Sequence, residues 1–185
     1  MNLEQELQDR GALLSGHFKL SSGRHSDRFI QKFRILEDPA LLEPVAREIA
    51  AAFEAEKPEI VVSAAVGGIL LGYEVARALG TKAIFVEKEN GVPVLRRNFE
   101  LRPGQRVLVV EDVVTTGGSV MEVLDLIRKA QAVPVGVGVI VQRGAADFGV
   151  KTNALLDMPI VSYEASECPQ CASNQPITDP GSRRK

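Results

Sequence analysis

The chain has 185 residues, 45% of them hydrophobic, and its 22 basic and 24 acidic residues give a formal net charge of -2. This size suits one globular domain, and the charge balance argues against a surface built for nucleic acid. No apolar run approaches the roughly 18 residues of a membrane span, and two cysteines do not make a disulfide framework. We therefore expect a cytoplasmic protein that binds neither nucleic acid nor membrane.

The N-terminal part of the sequence predicts structure outside a main sheet. Leu3, Leu7 and Leu14 fall at helical spacing and predict a short amphipathic helix. From residue 17 to residue 36, short apolar stretches surround the turn cluster Ser21-Ser22-Gly23-Arg24. This pattern predicts a hairpin-like segment.

Strands and helices then alternate along the chain. Pro39 opens a helix that ends before Pro58, and Ile60–Ala64 is a strand followed by the glycine loop Ala65-Val66-Gly67-Gly68. The next helix is closed by Gly80 and has one apolar face. That face consists of Ile69, Tyr73, Ala76 and Leu79.

The later part of the chain continues this alternation. Ala83–Val86 is a strand that leads into a hairpin around Asn90-Gly91, and Val135–Val141 is a further strand. The alternation predicts an α/β fold with a mostly parallel central sheet and helices on both faces. We expect one domain over residues 1–185, with a loosely packed tail from about residue 165 to 185.

The segment from residue 106 to residue 120 carries the clearest chemical signal. Val107–Val110 is a run typical of a strand buried on both faces, and the predicted strand ends at Glu111 and Asp112. Thr115–Ser119 is too polar and too rich in glycine to extend it. An apolar helix face follows, made of Val120, Val123, Leu124 and Ile127.

This order of strand, loop and helix predicts a site for a phosphorylated sugar. A helix N-terminus binds phosphate through unpaired backbone N–H groups and the positive end of the helix dipole. Gly117 and Gly118 allow close approach, while Glu111 and Asp112 accept hydrogen bonds from vicinal hydroxyls. The chain contains neither the Gly-Lys-Ser/Thr of a Walker loop nor the Gly-x-Gly-x-x-Gly of a dinucleotide turn.

The sequence Val-Val-Glu-Asp-Val-Val-Thr-Thr-Gly-Gly-Ser, residues 109–119, resembles the motif of type I phosphoribosyltransferases that binds 5-phosphoribosyl 1-pyrophosphate (PRPP). The resemblance implies that Asp112 and Lys88 are catalytic. It implies that PRPP is bound by Lys88, Arg97, Glu111, Asp112, Val113, Val114, Thr115, Thr116, Gly117, Gly118 and Ser119. The implied pyrophosphate loop is Ala65, Val66, Gly67 and Gly68.

Two further segments resemble the orotate phosphoribosyltransferases. Residues 18–26, Phe-Lys-Leu-Ser-Ser-Gly-Arg-His-Ser, are similar to the N-terminal hood of that family, here about residues 1–36. Arg143 follows a strand where the family has an arginine that contacts orotate, although Gln142 replaces the usual aspartate. The resemblance implies that orotate is contacted by Thr115, Arg143 and Phe29, but Phe29 fits a buried hood residue equally well.

Residues 87–97 resemble the loop that closes over pyrophosphate in the short-loop members of the family. Lys88 matches the first loop lysine, whereas the second lysine and the histidine of the longer loop are missing. Arg96 and Arg97 either supply the lost charge or lie on a solvated hairpin rim. The resemblance further implies Mg²⁺ carried by PRPP, with no direct protein ligand, and a homodimer.

Two other functions share parts of the pattern. A purine phosphoribosyltransferase has the same donor motif but gives no reason for the hood segment or for Arg143. A regulator that senses PRPP and binds nucleic acid needs a basic face, which the net charge of -2 argues against.

The cysteines and histidines receive no catalytic role. Cys168 and Cys171 form a Cys-x-x-Cys pair, a common source of two zinc ligands. Two further ligands are not evident from the sequence, and we expect no stoichiometric zinc. Orotate is acidic at its ring, so its transfer demands no strong base and no catalytic histidine. We expect His17 and His25 at the surface of the hood.

Overall fold

A computed structural model describes residues 2–20, 22–159 and 161–180. In chain order, the helices are α1 (Leu3–Asp9), α2 (Phe33–Leu36), α3 (Pro39–Phe53), α4 (Gly68–Leu79), α5 (Gly118–Lys129) and α6 (Pro169–Ala172). The strands are β1 (Leu13–Lys19), β2 (His25–Ile30), β3 (Ile60–Ala64), β4 (Lys82–Glu89), β5 (Val92–Leu95), β6 (Arg106–Val114), β7 (Val133–Gln142) and β8 (Thr152–Asp157). Short 3-10 helices lie at Glu54–Glu56 and Ala165–Glu167.

The chain divides into two compact units. The N-terminal unit comprises Met1–Arg34 and Pro159–Lys185, and the central unit comprises Ile35–Met158. Ser21 of the hood segment and the last five residues of the predicted tail lie outside the described residues. Within the described part of the chain, no helix is both long and apolar enough to cross a membrane.

The N-terminal unit contains a separate two-stranded sheet. Strands β1 and β2 pair antiparallel, which confirms the predicted hairpin-like segment. Helix α1 buries Leu3 and Leu7 and stops before Gly11, whose φ is +65°. The prediction was wrong for Leu14, which lies on β1.

The tail belongs to this unit. Thr178 forms a bridge with Phe18, and Cys168 is buried at 2% exposure, whereas residues 172–179 are exposed. His17 and His25 are also buried, at 5% and 7% exposure, so their prediction as surface residues was wrong. Both imidazoles lie against the tail cysteines, which a local sequence pattern does not indicate.

The central unit is a six-stranded sheet in the order β5-β4-β3-β6-β7-β8. All neighbours are parallel except β4 and β5, which form the predicted hairpin at Asn90 and Gly91, both with positive φ. Strand β8 was not predicted, because it is short and only half-buried. The predicted α/β fold with a mostly parallel sheet is otherwise confirmed.

Helices cover both faces of this sheet. Val107–Val110 of β6 are at most 1% exposed, as expected for a strand packed on two sides. Val107 and Val109 join the apolar cluster of α5. On the other face α3 packs so closely on β7 that a Cβ at Gly138 would lie 2.5 Å from Ile49.

Two further details of the sequence prediction, in α4 and β6, were wrong. Tyr73, predicted on the apolar face of α4, is 62% exposed. The buried residues of α4 are Gly68, Leu71, Gly72, Val75 and Ala76. Strand β6 does not end at the two acids but continues to Val114.

Candidate phosphosugar site

A cavity of about 280 Å³ opens at the carboxyl end of β6 and the start of α5. The structure therefore brings the predicted loop, one predicted acid and one predicted lysine together. Asp112 and Arg97 do not line the cavity. The lining residues are Lys88, Glu111, Val113, Val114, Thr115, Thr116, Gly117, Gly118, Ser119, Val120 and Glu122.

The loop turns into α5 at Gly117, which has a φ of +81°. A Cβ at this position would lie 2.7 Å from the Phe148 ring and 3.0 Å from the Ala146 side chain, so only glycine fits. The helix begins at Gly118, and its first backbone N–H groups have no partner within the helix. The exposed Thr115, Thr116 and Ser119 add hydroxyl groups to this anion-binding end.

The two acids are held by the backbone at the end of β6. Glu111 and Asp112 are 8% and 1% exposed. The Glu111 carboxylate accepts a hydrogen bond of 3.1 Å from the Asp112 N–H, and the Asp112 carboxylate accepts one of 2.6 Å from the Val113 N–H. These local bonds fix both carboxylates beside the loop.

The second glycine loop, Ala65–Gly68, lies next to this site. A Cβ at Gly68 would be 2.9 Å from the Ser63 Cβ and 3.5 Å from a carboxylate oxygen of Glu111. The Ala65–Val66 peptide bond is cis, and Val66 is exposed. Adjacent parallel strands β3 and β6 thus deliver both loops to one edge of the sheet, as the sequence predicts.

Arg143 reaches the same edge from β7. Its backbone N–H donates to the Val114 carbonyl at 2.8 Å, and a Cβ at Gly144 would lie 2.6 Å from the Thr115 carbonyl oxygen. The Nε of Arg143 is buried and has no hydrogen-bond partner among the described residues. Burial lowers the pKa of the guanidinium, which still remains charged near neutral pH. Leaving such a charged donor without an acceptor costs free energy.

The charged side chains near the cavity are paired with acids. Lys88 Nζ lies 2.7 Å from an oxygen of Glu122 on α5, a residue that was not among the predicted site residues. Arg97 donates two hydrogen bonds of 3.1 Å to Glu87. Arg97 also lies over the Phe85 ring, 5.7 Å from its centre.

The predicted hood residues are described within the N-terminal unit. Phe29 is 9% exposed and its ring packs on Phe18, with 5.8 Å between the ring centres. Arg24 donates to the Ser162 hydroxyl at 2.9 Å and forms an ion pair with Glu164. Arg24 therefore binds the segment just before the tail, a contact that the local sequence does not indicate.

Comparison with known proteins agrees with this architecture. Residues 33–155 match the phosphoribosyl transferase domain family. The orotate phosphoribosyltransferase of Pelotomaculum thermopropionicum is 51% identical over 179 residues, covering 96% of this chain and 94% of that protein. The orotate phosphoribosyltransferase of Desulforamulus reducens is 48% identical over 176 residues, covering 94% and 92%. The crystal structure of orotate phosphoribosyltransferase from Aeropyrum pernix has a TM-score of 0.71 at 27% identity, covering 84% of this chain and 93% of that chain.

The domain match and the cavity at the end of β6 define the class of protein, a phosphoribosyltransferase of type I fold. The predicted fold class is confirmed. At the identity and coverage of its relatives, the chain belongs to the orotate phosphoribosyltransferase family.

The left-handed turn at Gly117 gives a direct test of the anion-binding loop. We expect Gly117→Ala to weaken binding of ribose 5-phosphate at least about tenfold, because the new methyl group collides with Phe148 and displaces the loop amides. Isothermal titration calorimetry measures this affinity. Gly104→Ala is the matched control, since its φ is +76° but nothing lies within 4 Å of the added Cβ. Equal losses in the two variants would contradict the assignment.

Proposed function

We propose that the protein transfers the 5-phosphoribosyl group of PRPP to orotate, which gives orotidine 5'-monophosphate and pyrophosphate in pyrimidine biosynthesis. The observation that carries the proposal is the buried acid pair followed by an exposed polar loop at the N-terminus of α5. The chain in which this arrangement occurs is 51% identical to a relative named for this reaction. The donor and acceptor roles below are parts of the same proposal.

The donor is held at both ends of its ribose. Backbone N–H groups and hydroxyls of Thr115–Ser119 bind the 5-phosphate, and Glu111 and Asp112 bind the ribose hydroxyls. When C1 loses pyrophosphate, positive charge develops on the sugar. The two carboxylates stabilise that charge more than they stabilise the neutral ground state, which lowers the barrier.

The leaving pyrophosphate requires positive partners on the opposite side. The Ala65–Gly68 loop offers backbone N–H groups, and Lys88 offers an ammonium group on the cavity wall. Lys88 is half-exposed in its ion pair with Glu122, so exchanging Glu122 for pyrophosphate costs little. Arg97 would bind pyrophosphate by a similar exchange, in which its ion pair with Glu87 is broken. Closure of the β4–β5 hairpin would then exclude water from the reacting carbon.

Mg²⁺ would enter this site bound to PRPP. Among the described residues, no group of three or more potential ligands lies at the cavity, which favours an ion held mainly by substrate phosphates and water. When bound, Mg²⁺ neutralises charge on the pyrophosphate oxygens.

Orotate recognition is assigned to Arg143 and Thr115 of the central unit. The half-buried guanidinium of Arg143 carries a buried Nε–H with no partner among the described residues and matches the carboxylate and ring carbonyls of orotate. Its backbone is fixed against Val114 and Thr115, so the acceptor is held beside the ribose site. Orotate can attack as a ring anion, and no histidine base is required.

A homodimer is part of the proposal. The central unit exposes the large apolar side chains Leu70, Tyr73 and Val92, which an interface between copies would cover. The mass of the protein in solution, against 20.0 kDa for one chain, tests the assembly.

The acceptor decides between the proposed reaction and its relatives. Purified protein with PRPP and Mg²⁺ should consume orotate and release pyrophosphate at a rate at least about a hundredfold above that with uracil, adenine or hypoxanthine, because only orotate has the carboxylate that Arg143 requires. Loss of orotate absorbance measures consumption of the acceptor, and a coupled assay measures the pyrophosphate released. Turnover of adenine or hypoxanthine in preference to orotate would overturn the proposal.

Arg143 should act on the acceptor alone. We expect Arg143→Ala to raise the KM for orotate by about 10- to 100-fold and the KM for PRPP less than about threefold, because a charge-assisted bidentate bond contributes about 1.5–3 kcal/mol. Steady-state kinetics with each substrate varied in turn gives both constants. Arg102→Ala is the control, since Arg102 is 75% exposed and only weakly paired. An equal effect on both substrates would refute this role.

Asp112 should act on the chemical step. We expect Asp112→Asn to reduce kcat by about a hundredfold or more, because a neutral amide does not stabilise a cationic sugar. The fold should persist, since the asparagine oxygen can still accept the Val113 N–H bond. Kinetics and circular dichroism test both statements, with the exposed Asp125→Asn as the control. A folded Asp112→Asn enzyme of normal kcat would exclude a role in catalysis.

A further inference from the structure

All cysteines and histidines of this chain meet at one point. The sequence has two of each, and the structure gathers His17 from β1, His25 from β2, and Cys168 and Cys171 from the tail. One ligand atom from each lies within 4.8 Å of every other. His17, His25 and Cys168 are buried, and Cys171 is partly buried. None of these side chains has a part in the proposed transfer reaction.

Four of the six separations between the ligand atoms are close to the edges of a tetrahedron around zinc. Around a tetrahedral zinc ion, neighbouring ligand atoms are about 3.3 Å apart for two nitrogens and about 3.6 Å for nitrogen and sulfur. Here His17 Nε2 lies 3.1 Å from His25 Nδ1 and 3.5 Å from Cys168 Sγ. Cys171 Sγ lies 3.7 Å from His17 Nε2 and 3.2 Å from His25 Nδ1.

The hydrogen bonding of His17 prepares one nitrogen as a metal ligand. Its Nδ1 lies 3.0 Å from the carbonyl oxygen of Gln175, and a carbonyl can only accept. Nδ1 therefore carries the proton of the neutral ring, and the lone pair of Nε2 points into the cluster. Metal-binding histidines commonly have such a carbonyl partner on the far nitrogen.

We propose that His17, His25, Cys168 and Cys171 bind one Zn²⁺ as a structural site, contrary to the expectation from sequence. Two thiolates and two imidazoles form a ligand set that zinc favours and that Mg²⁺ does not. Each thiol releases its proton to solvent when the ion binds, so no oxidant or reductant is involved. Four protein ligands leave no open position for a reacting water or substrate, which makes the site structural.

The ion would join segments far apart in the sequence. His17 and His25 lie on neighbouring strands of the hairpin, whereas Cys168 and Cys171 lie at the short helix α6 near the end of the chain. The backbone pairs between Phe18 and Thr178 and between His25 and Tyr163 already bring the tail to this hairpin. The proposed ion fixes that arrangement.

Metal analysis of the full-length protein, produced with zinc in the medium and never exposed to chelator, tests the proposal. We expect about one zinc per chain by mass spectrometry, released when a mercurial reagent blocks the thiols and detected by a zinc-binding dye. Protein refolded with Co²⁺ in place of zinc should show intense visible bands of tetrahedral cobalt and a sulfur-to-cobalt charge-transfer band. Added Mg²⁺ should displace neither ion.

Variants separate the four ligands from their surroundings. Cys171→Ser and His25→Gln should each lose the bound zinc and lower the melting temperature by more than about 5 °C. Ala172→Ser is the matched control, because it adds the same hydroxyl to an exposed neighbour of Cys171 and should keep both zinc and stability. If the ligand variants fail to fold, the zinc content and cobalt spectrum of the unaltered protein still decide the question.

Three results would overturn the proposal. The first is less than about 0.2 zinc per chain in protein prepared with zinc. The second is a Cys168–Cys171 disulfide in freshly prepared protein, because oxidised sulfur cannot bind the ion. The third is full retention of zinc in both ligand variants. Each result concerns metal content and leaves the phosphoribosyl transfer to be judged by its own assays.

Discussion

The junction between β6 and α5 is the constraint on which the candidate active site depends. A strand buried on both faces gives the two acids a rigid base, and the left-handed turn at Gly117 directs the chain into a helix within a few residues. Phe148 and Ala146 close the space behind this turn, and Gly144 lies against the Thr115 carbonyl. The loop amides are thus positioned by packing from the β7 side before any ligand arrives, which reduces the entropy lost on binding.

The positive potential of the site comes mainly from the backbone. Lys88 is paired with Glu122 and Arg97 with Glu87, so these two cations add little net charge in the ligand-free protein. The N–H groups at the start of α5 keep their partial charge whatever the side chains do. Such exposed ion pairs contribute only about 0–1 kcal/mol, and a polyanionic ligand can replace either acid at small cost.

The sequence predicted what depends on local periodicity. The strand Ile60–Ala64, the apolar face of α5 and the turn at Asn90 follow from a short apolar run, helical spacing and the Asn-Gly turn signal, and the structure contains all three. Prediction from the sequence failed where contacts between residues far apart in the chain determine the structure. Tyr73 is apolar enough to predict burial. Helix α4 instead buries the face that contains Gly68 and Gly72, which packs against Ser63 of β3. The partner of Lys88 likewise lies 34 residues away and has no local signature.

The burial of the two histidines was likewise missed from the sequence. A polar residue inside a small sheet is explained only by its partners, and here these partners are distant in the chain. The N-terminal unit has about sixty residues from the two ends of the chain, a size at which an apolar core alone gives little stability. His17 and Cys168 are separated by 151 positions, so an ion that binds both closes a very long loop and removes much of the freedom of the unfolded chain. Either imidazole placed in this interior without a partner for its lone pair would be destabilising. A single ion would satisfy both rings and both thiols, and with four protein ligands it would add no reactive position to the N-terminal unit.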